Sequence, residues 1–110
     1  MPFTREELED LREGSHKMKT ITIQIGNTDD KLTQVEWAAY VLTVKDTILR
    51  HCKQIHFFGG SVNWDRWQNV AWVFECSEEM IDSLRKGLTA DRKAFNQDSI
   101  AWTEGETDFI

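Results

Sequence analysis

Long apolar runs, basic charge and cysteine are all scarce in this 110-residue chain, and each scarcity excludes something. No stretch approaches the ~20 apolar residues that span a bilayer, so no membrane protein is expected. With 13 Lys and Arg against 19 Asp and Glu, the net charge is −6. Generic binding of DNA, RNA or anionic lipid needs clustered Lys and Arg and is not expected either. A local site for a small anion, or docking on a basic protein surface, stays open. The two cysteines, Cys52 and Cys76, form no CxxC and have no His at ligand spacing. They read as small buried hydrophobes rather than as a zinc site. P-loop, GxSxG and HExxH motifs are missing, as are internal repeats. No metal, cofactor or catalytic set is therefore expected. The first residues are charged and lack an apolar signal core, which makes the cytoplasm the expected location.

What the chain does have is one domain's length and five tryptophans, Trp37, Trp64, Trp67, Trp72 and Trp102. Residues 1–16 read as a short N-terminal helix and linker. Thr4 and Glu7 make a capping box, Phe3 staples onto Leu8, and Gly14 is the stop. Residues 17–110 read as the folded domain with an acidic C-terminal tail. Met18 to Ile25 alternates, with Ile21, Ile23 and Ile25 on one face, as a half-buried strand does.

Leu32 to Cys52 has helical spacing, with Trp37, Val41, Val44, Ile48 and Cys52 as its stripe. Val35, Ala38, Leu42 and Leu49 widen that face, and Thr47 lies among the polar positions. A second strand, Gln54 to Phe58, closes on a Gly59-Gly60 turn. A third runs from Trp67 to Cys76. A helix capped by Ser77 carries Ile81, Leu84, Leu88 and Phe95. A last strand covers Asp98 to Thr103.

The order β-α-β-β-α-β is the split-βαβ signature of a ferredoxin-like α+β sandwich, with two helices on one face of a four-stranded antiparallel sheet. A sheet order of 4-1-3-2 brings three polar groups to one end. They are Asn27, Asp29 and Asp30; Gln68 and Asn69; and Gln97, Asp98 and Ser99. The loop carrying Trp64, Arg66 and Trp67 overhangs them. Amides offer paired donors and acceptors, and indoles offer stacking planes. The same residue types also cap helices and close turns. Trp37 and Trp72 sit on apolar stripes and read as core, and Trp102 leans that way. Trp64 and Trp67 flank a loop, where packing explains a large ring less easily.

The runs WQNVAWVFE (67–75), QDSIAWTEGETDFI (97–110) and NTDDKLTQVEW (27–37) resemble small uncharacterised proteins encoded by actinobacteria and their phages. That resemblance implies only a prokaryotic or viral setting, and it brings no known catalytic residues to carry over. The acidic surface, the acidic C-terminal tail and the loop tryptophans Trp64 and Trp67 favour a non-enzymatic protein that occupies a partner's functional surface, of the anti-defence, antitoxin or immunity type. One alternative is a small-ligand binder using the strand-end groups, for a planar anion such as a nucleotide. Another is a dimeric α+β-barrel enzyme with a polar group such as His56 inside a cavity. Because the helices cover only one sheet face, a homodimer is expected.

Overall fold

The computed structural model describes residues 17–27, 30–52, 54–61 and 68–110. Strand β1 spans Met18–Gly26, helix α1 Gln34–His51, β2 Ile55–Gly60, β3 Asn69–Ser77, helix α2 Glu78–Ala94 and β4 Ala101–Gly105. The strands form one sheet in the order β2-β3-β1-β4, every pair antiparallel. This is the ferredoxin-like α+β arrangement expected from the element order. The proposed N-terminal helix lies outside the described residues.

Period-2 alternation decides which side of the sheet is buried. Ile21, Ile23 and Ile25 of β1 point to the helices, as do Trp72, Phe74 and Cys76 of β3, and all six are buried. They pack on Trp37, Tyr40, Val44 and Ile48 from α1 and on Leu84 and Leu88 from α2. The Tyr40 ring lies 5.0 Å from Phe95. Burial, with the Asp91 charge nearby, pushes its hydroxyl up to about 12. Cys52 and Cys76 are buried free thiols, and burial raises both above the usual thiol range.

Helix α1 starts two residues later than its apolar spacing indicates because a capping box fixes the start. The Glu36 N–H donates to Thr33 Oγ1, and the Thr33 N–H donates to Glu36 Oε1. That second bond is the main reason the Glu36 carboxyl sits below its usual range. The two glycines after Phe58 do not turn the chain. Gly59 and Gly60 continue β2 and pair with Ala71 and Val70. A Cβ on Gly59 would come within 2.7 Å of Phe57 Cζ, so glycine lets the Phe57 ring lie along the sheet. A register shift between Ile55 and Phe57 then turns Phe58 towards Trp72, with ring centroids 5.5 Å apart.

Two sequence readings of α1 are corrected. Val35, Leu42 and Leu49 do not join the core but are 81%, 59% and 45% exposed, and Ala38 is exposed beside them. Thr47, expected on the polar side, is completely buried against α2. Gly87 explains this exchange, because a Cβ there would meet Thr47 Cγ2 at 2.9 Å, so the helices approach along that line. The outer apolar residues are left in solvent.

The Thr47 hydroxyl donates to Asp91 Oδ2 at 2.5 Å, and Arg50 Nη2 donates to Thr47 Oγ1 at 3.0 Å. Burial holds the Asp91 carboxyl above its ordinary value of 3.8, opposed by the Thr47 hydrogen bond and the Arg50 charge. The folded state therefore binds that proton more tightly than the unfolded chain. This contribution is fully present below the unfolded value near 3.8 and is lost as pH rises through the folded value. Asp91→Asn removes the titration, so its stability relative to wild type rises with pH above 3.8. Urea unfolding curves at pH 3 and pH 7 measure that difference.

Candidate functional site

The strand-end groups meet as the sheet order requires, but they divide into two sets with different work. The inner set closes the connection from β1 to α1. Asn27 is buried, and its Nδ2 donates to the Leu32 carbonyl at 3.0 Å while its Oδ1 accepts from the Leu32 N–H at 2.9 Å. Its Nδ2 also donates to Gln68 Oε1 at 3.0 Å. The Asn27 N–H donates to the Gln68 carbonyl at 2.9 Å, tying the start of α1 to the start of β3. Gln68 and Gln34 then exchange amide hydrogen bonds of 3.1 and 2.9 Å. Asp30, with φ 54°, is exposed and completes the turn by donating its N–H to the Asn27 carbonyl. Asn27 and Gln68 are thus committed to structure.

The outer set lines a cavity of about 280 Å³ at the end of β1. Asn69, Gln97, Asp98 and Ser99 contribute to it, with Gln24 and Lys31. Lys31 Nζ sits 3.3 Å from Asp98 Oδ2, placing a cation and an anion at the rim. Asn69 is exposed, and its backbone is held by Ser61 in both directions. Gln97 is buried, its Nε2 donating to the Phe95 carbonyl. Arg92 Nη1 donates to the carbonyls of Gln97 and Asp98, at 3.0 and 3.2 Å, and fixes that turn against α2. Asn96, at φ 55°, makes the reversal possible.

Asp29, Trp64, Arg66 and Trp67 lie outside the described residues, and so does Asp65. Sequence reasoning did not include Gln24 or Lys31 in this site. Gln24 carried a signal, since it points away from the isoleucine face at the strand end. Lys31 carried none, because only the folded turn brings it to Asp98.

The sheet face opposite the helices is the other notable surface. Register and alternation place Thr22 and Gln24, Ala71 and Val73, Phe57, and Ala101 and Thr103 there. Glu75 is on the same side, 3.6 Å from His56 Nε2. His56 is therefore an exposed partner of Glu75 at the strand β2 bulge and not a group enclosed in a cavity. His51 instead bridges the helices, its Nδ1 on the Thr47 carbonyl and its Nε2 3.1 Å from Ser83 Oγ.

A four-stranded antiparallel sheet in this order, with two helices on one side, defines the ferredoxin-like fold. Solved structures with that fold include two similar to this chain. One is a dimeric ferredoxin-like protein of unknown function from Thermobifida fusca, an actinobacterium. It has a TM-score of 0.57 and 12% identity, covering 82% of this chain and 92% of that one. The other is a hypothetical protein of Arabidopsis thaliana, with a TM-score of 0.58 and 11% identity, covering 86% and 93%. At such identity the likeness is one of fold alone. No family model and no curated protein matches the sequence. Among the described residues, no helix is long and apolar enough to cross a membrane.

Proposed function

We propose that this chain is a non-enzymatic binding protein that occupies a functional surface of a partner protein, in the manner of anti-defence, antitoxin or immunity proteins. The observation that carries the reading is the line of exposed apolar side chains on α1. Val35, Leu42 and Leu49 recur every seven residues, the spacing at which side chains align along one helix. Such exposed aliphatic side chains, rimmed by Glu36, Asp46 and Arg50, suit an interface centre with a polar rim. The net charge of −6 favours a partner whose contact surface is apolar at the centre and basic around it. Leu42→Glu and Leu49→Glu should leave the far-ultraviolet spectrum unchanged and weaken partner capture at least about tenfold, since a carboxylate would be desolvated in the contact. Unchanged capture by both variants contradicts the reading.

The same reading includes a homodimer formed through the open sheet face. In a chain with 29% charged residues, the described strand residues of that face include one carboxylate, Glu75, already paired with His56. Depletion of charge at the centre is what distinguishes an interface core. A two-fold axis would set the same uncharged patch against itself. The Thermobifida fusca neighbour is itself described as dimeric.

A second reading rests on the cavity of about 280 Å³, whose amides, Lys31 and Asp98 suit a small planar anion such as a nucleotide. A thermal-shift screen of nucleotides should then give a stabilising ligand whose effect disappears in Asn69→Ala and in Asp98→Ala. A flat screen counts against it.

A further inference from the structure

Helix α2 and the edge strand β4 border a groove that differs in chemistry from the cavity at the strand ends. Its volume is about 110 Å³, and Arg85, Thr89 and Arg92 line one wall while Ile100 and Trp102 line the other. Arg85, Thr89 and Arg92 stand at i, i+4 and i+7, so one stripe of α2 presents two guanidinium groups to the same space. We propose that this groove binds a small oxyanion, a phosphate or carboxylate group, between Arg85, Arg92 and the Trp102 indole.

Three independent features point there. The first is unspent positive charge in an acidic protein. Arg85 lies over the Trp102 ring, 5.1 Å from its centroid, and among the described residues no carboxylate forms an ion pair with it. Even Glu104, two residues beyond Trp102 on the same side of β4, is not paired with it. The second is an orphan donor. Trp102 Nε1 is buried and has no acceptor among the described residues, although a buried indole N–H normally finds one. The third is pre-organisation. Arg92 is already anchored, with Nη1 on the Gln97 and Asp98 carbonyls, so its remaining N–H groups are held in place without further ordering.

The Thr89 hydroxyl is not a donor to the ligand, since it donates to the Arg85 carbonyl at 2.8 Å. Instead that bond, one turn back along α2, keeps a polar but satisfied group on the wall. The donors on offer are the planar forks of two arginines, which match the oxygens of a phosphate or carboxylate, with the Trp102 ring as the opposite wall. The space admits a group of only a few heavy atoms, so a larger ligand would insert its anionic end and leave the rest in solvent. Arg85 belongs to this groove and not to the strand-end cavity, which lets a test separate the two.

The test is a titration of the ¹⁵N-labelled full chain with sodium phosphate and, separately, sodium acetate, at ionic strength held constant with sodium chloride. The reporter is the Trp102 indole N–H resonance, assigned by its absence in Trp102→Phe. The expected result is a saturating downfield shift with one or both salts. Its midpoint should rise about tenfold in Arg85→Gln, the loss of one charge-assisted contact. A response to phosphate alone identifies a phosphoryl ligand, and a response to acetate alone a carboxylate. The proposal is overturned if neither salt produces saturation, if chloride produces the same shift, or if Arg85→Gln leaves the midpoint unchanged.

Discussion

Val73→Arg should leave a folded chain that stays monomeric at concentrations where the proposed homodimer forms. Val73 lies at the middle of the open sheet face, across from Thr22 on β1 and Phe57 on β2. In one copy alone, an arginine at this place reaches solvent and leaves the helix-side core, with Trp72 and Phe74, untouched. Across a two-fold interface the substitution appears twice, and each guanidinium faces a mostly uncharged surface whose carboxylate, Glu75, is already engaged by His56. Removing such a charge from water without a partner costs several kcal/mol. That shifts a micromolar dimer by on the order of a thousandfold, beyond the concentrations at which it forms. Light scattering after size exclusion reads the result directly. A wild-type protein that is strictly monomeric at high concentration would show that this face is not the dimer contact.

The second large effect is expected at Asn27. Asn27→Ala removes an acceptor from the buried Leu32 N–H, a donor from the Leu32 carbonyl and a bond to Gln68. Leaving a buried polar group unsatisfied costs roughly 1–3 kcal/mol, and Leu32 is itself buried. The loss in unfolding free energy should be about 2–4 kcal/mol, on those same terms. It should also be accompanied by loosening of the α1 start, because Asn27 bonds both the N–H and the carbonyl of Leu32 just before the helix. Denaturant unfolding measures the first effect and hydrogen exchange at Leu32 and Thr33 the second. Asn27→Asp is the informative comparison, since it keeps the acceptor and loses the two donated bonds. A loss below about 1 kcal/mol in Asn27→Ala would mean that water replaces the amide without penalty.

Most of the architecture was legible because it follows from periodicity. The isoleucines of β1 and the Trp72-Phe74-Cys76 alternation of β3 fixed two strand faces, and the crossover rules removed most sheet orders other than the one observed. Helix α1 was legible in extent but not in rotation. Its spacing admits two apolar stripes, and only the close approach at Gly87 selects the one that buries Thr47 and exposes Leu42. The strand-end cluster was legible as a neighbourhood, since topology alone brings residues 27, 68, 69 and 97–99 together. Which of them are spent on structure was not legible. Asn27 and Asn69 are the same residue type, and only hydrogen-bond geometry distinguishes an amide that closes a turn from one at a cavity rim. The Gly59-Gly60 pair was misread for a related reason. Two glycines signal a turn unless a neighbouring ring, here Phe57, needs the space that their missing side chains leave.

The central claim is that the protein works by covering a partner's surface, and native mass spectrometry of the chain purified from its own host tests it most directly. The expected spectrum contains two copies of this chain with a stoichiometric second protein, which Leu42→Glu releases. The free chain alone, whether monomeric or dimeric, would contradict the account.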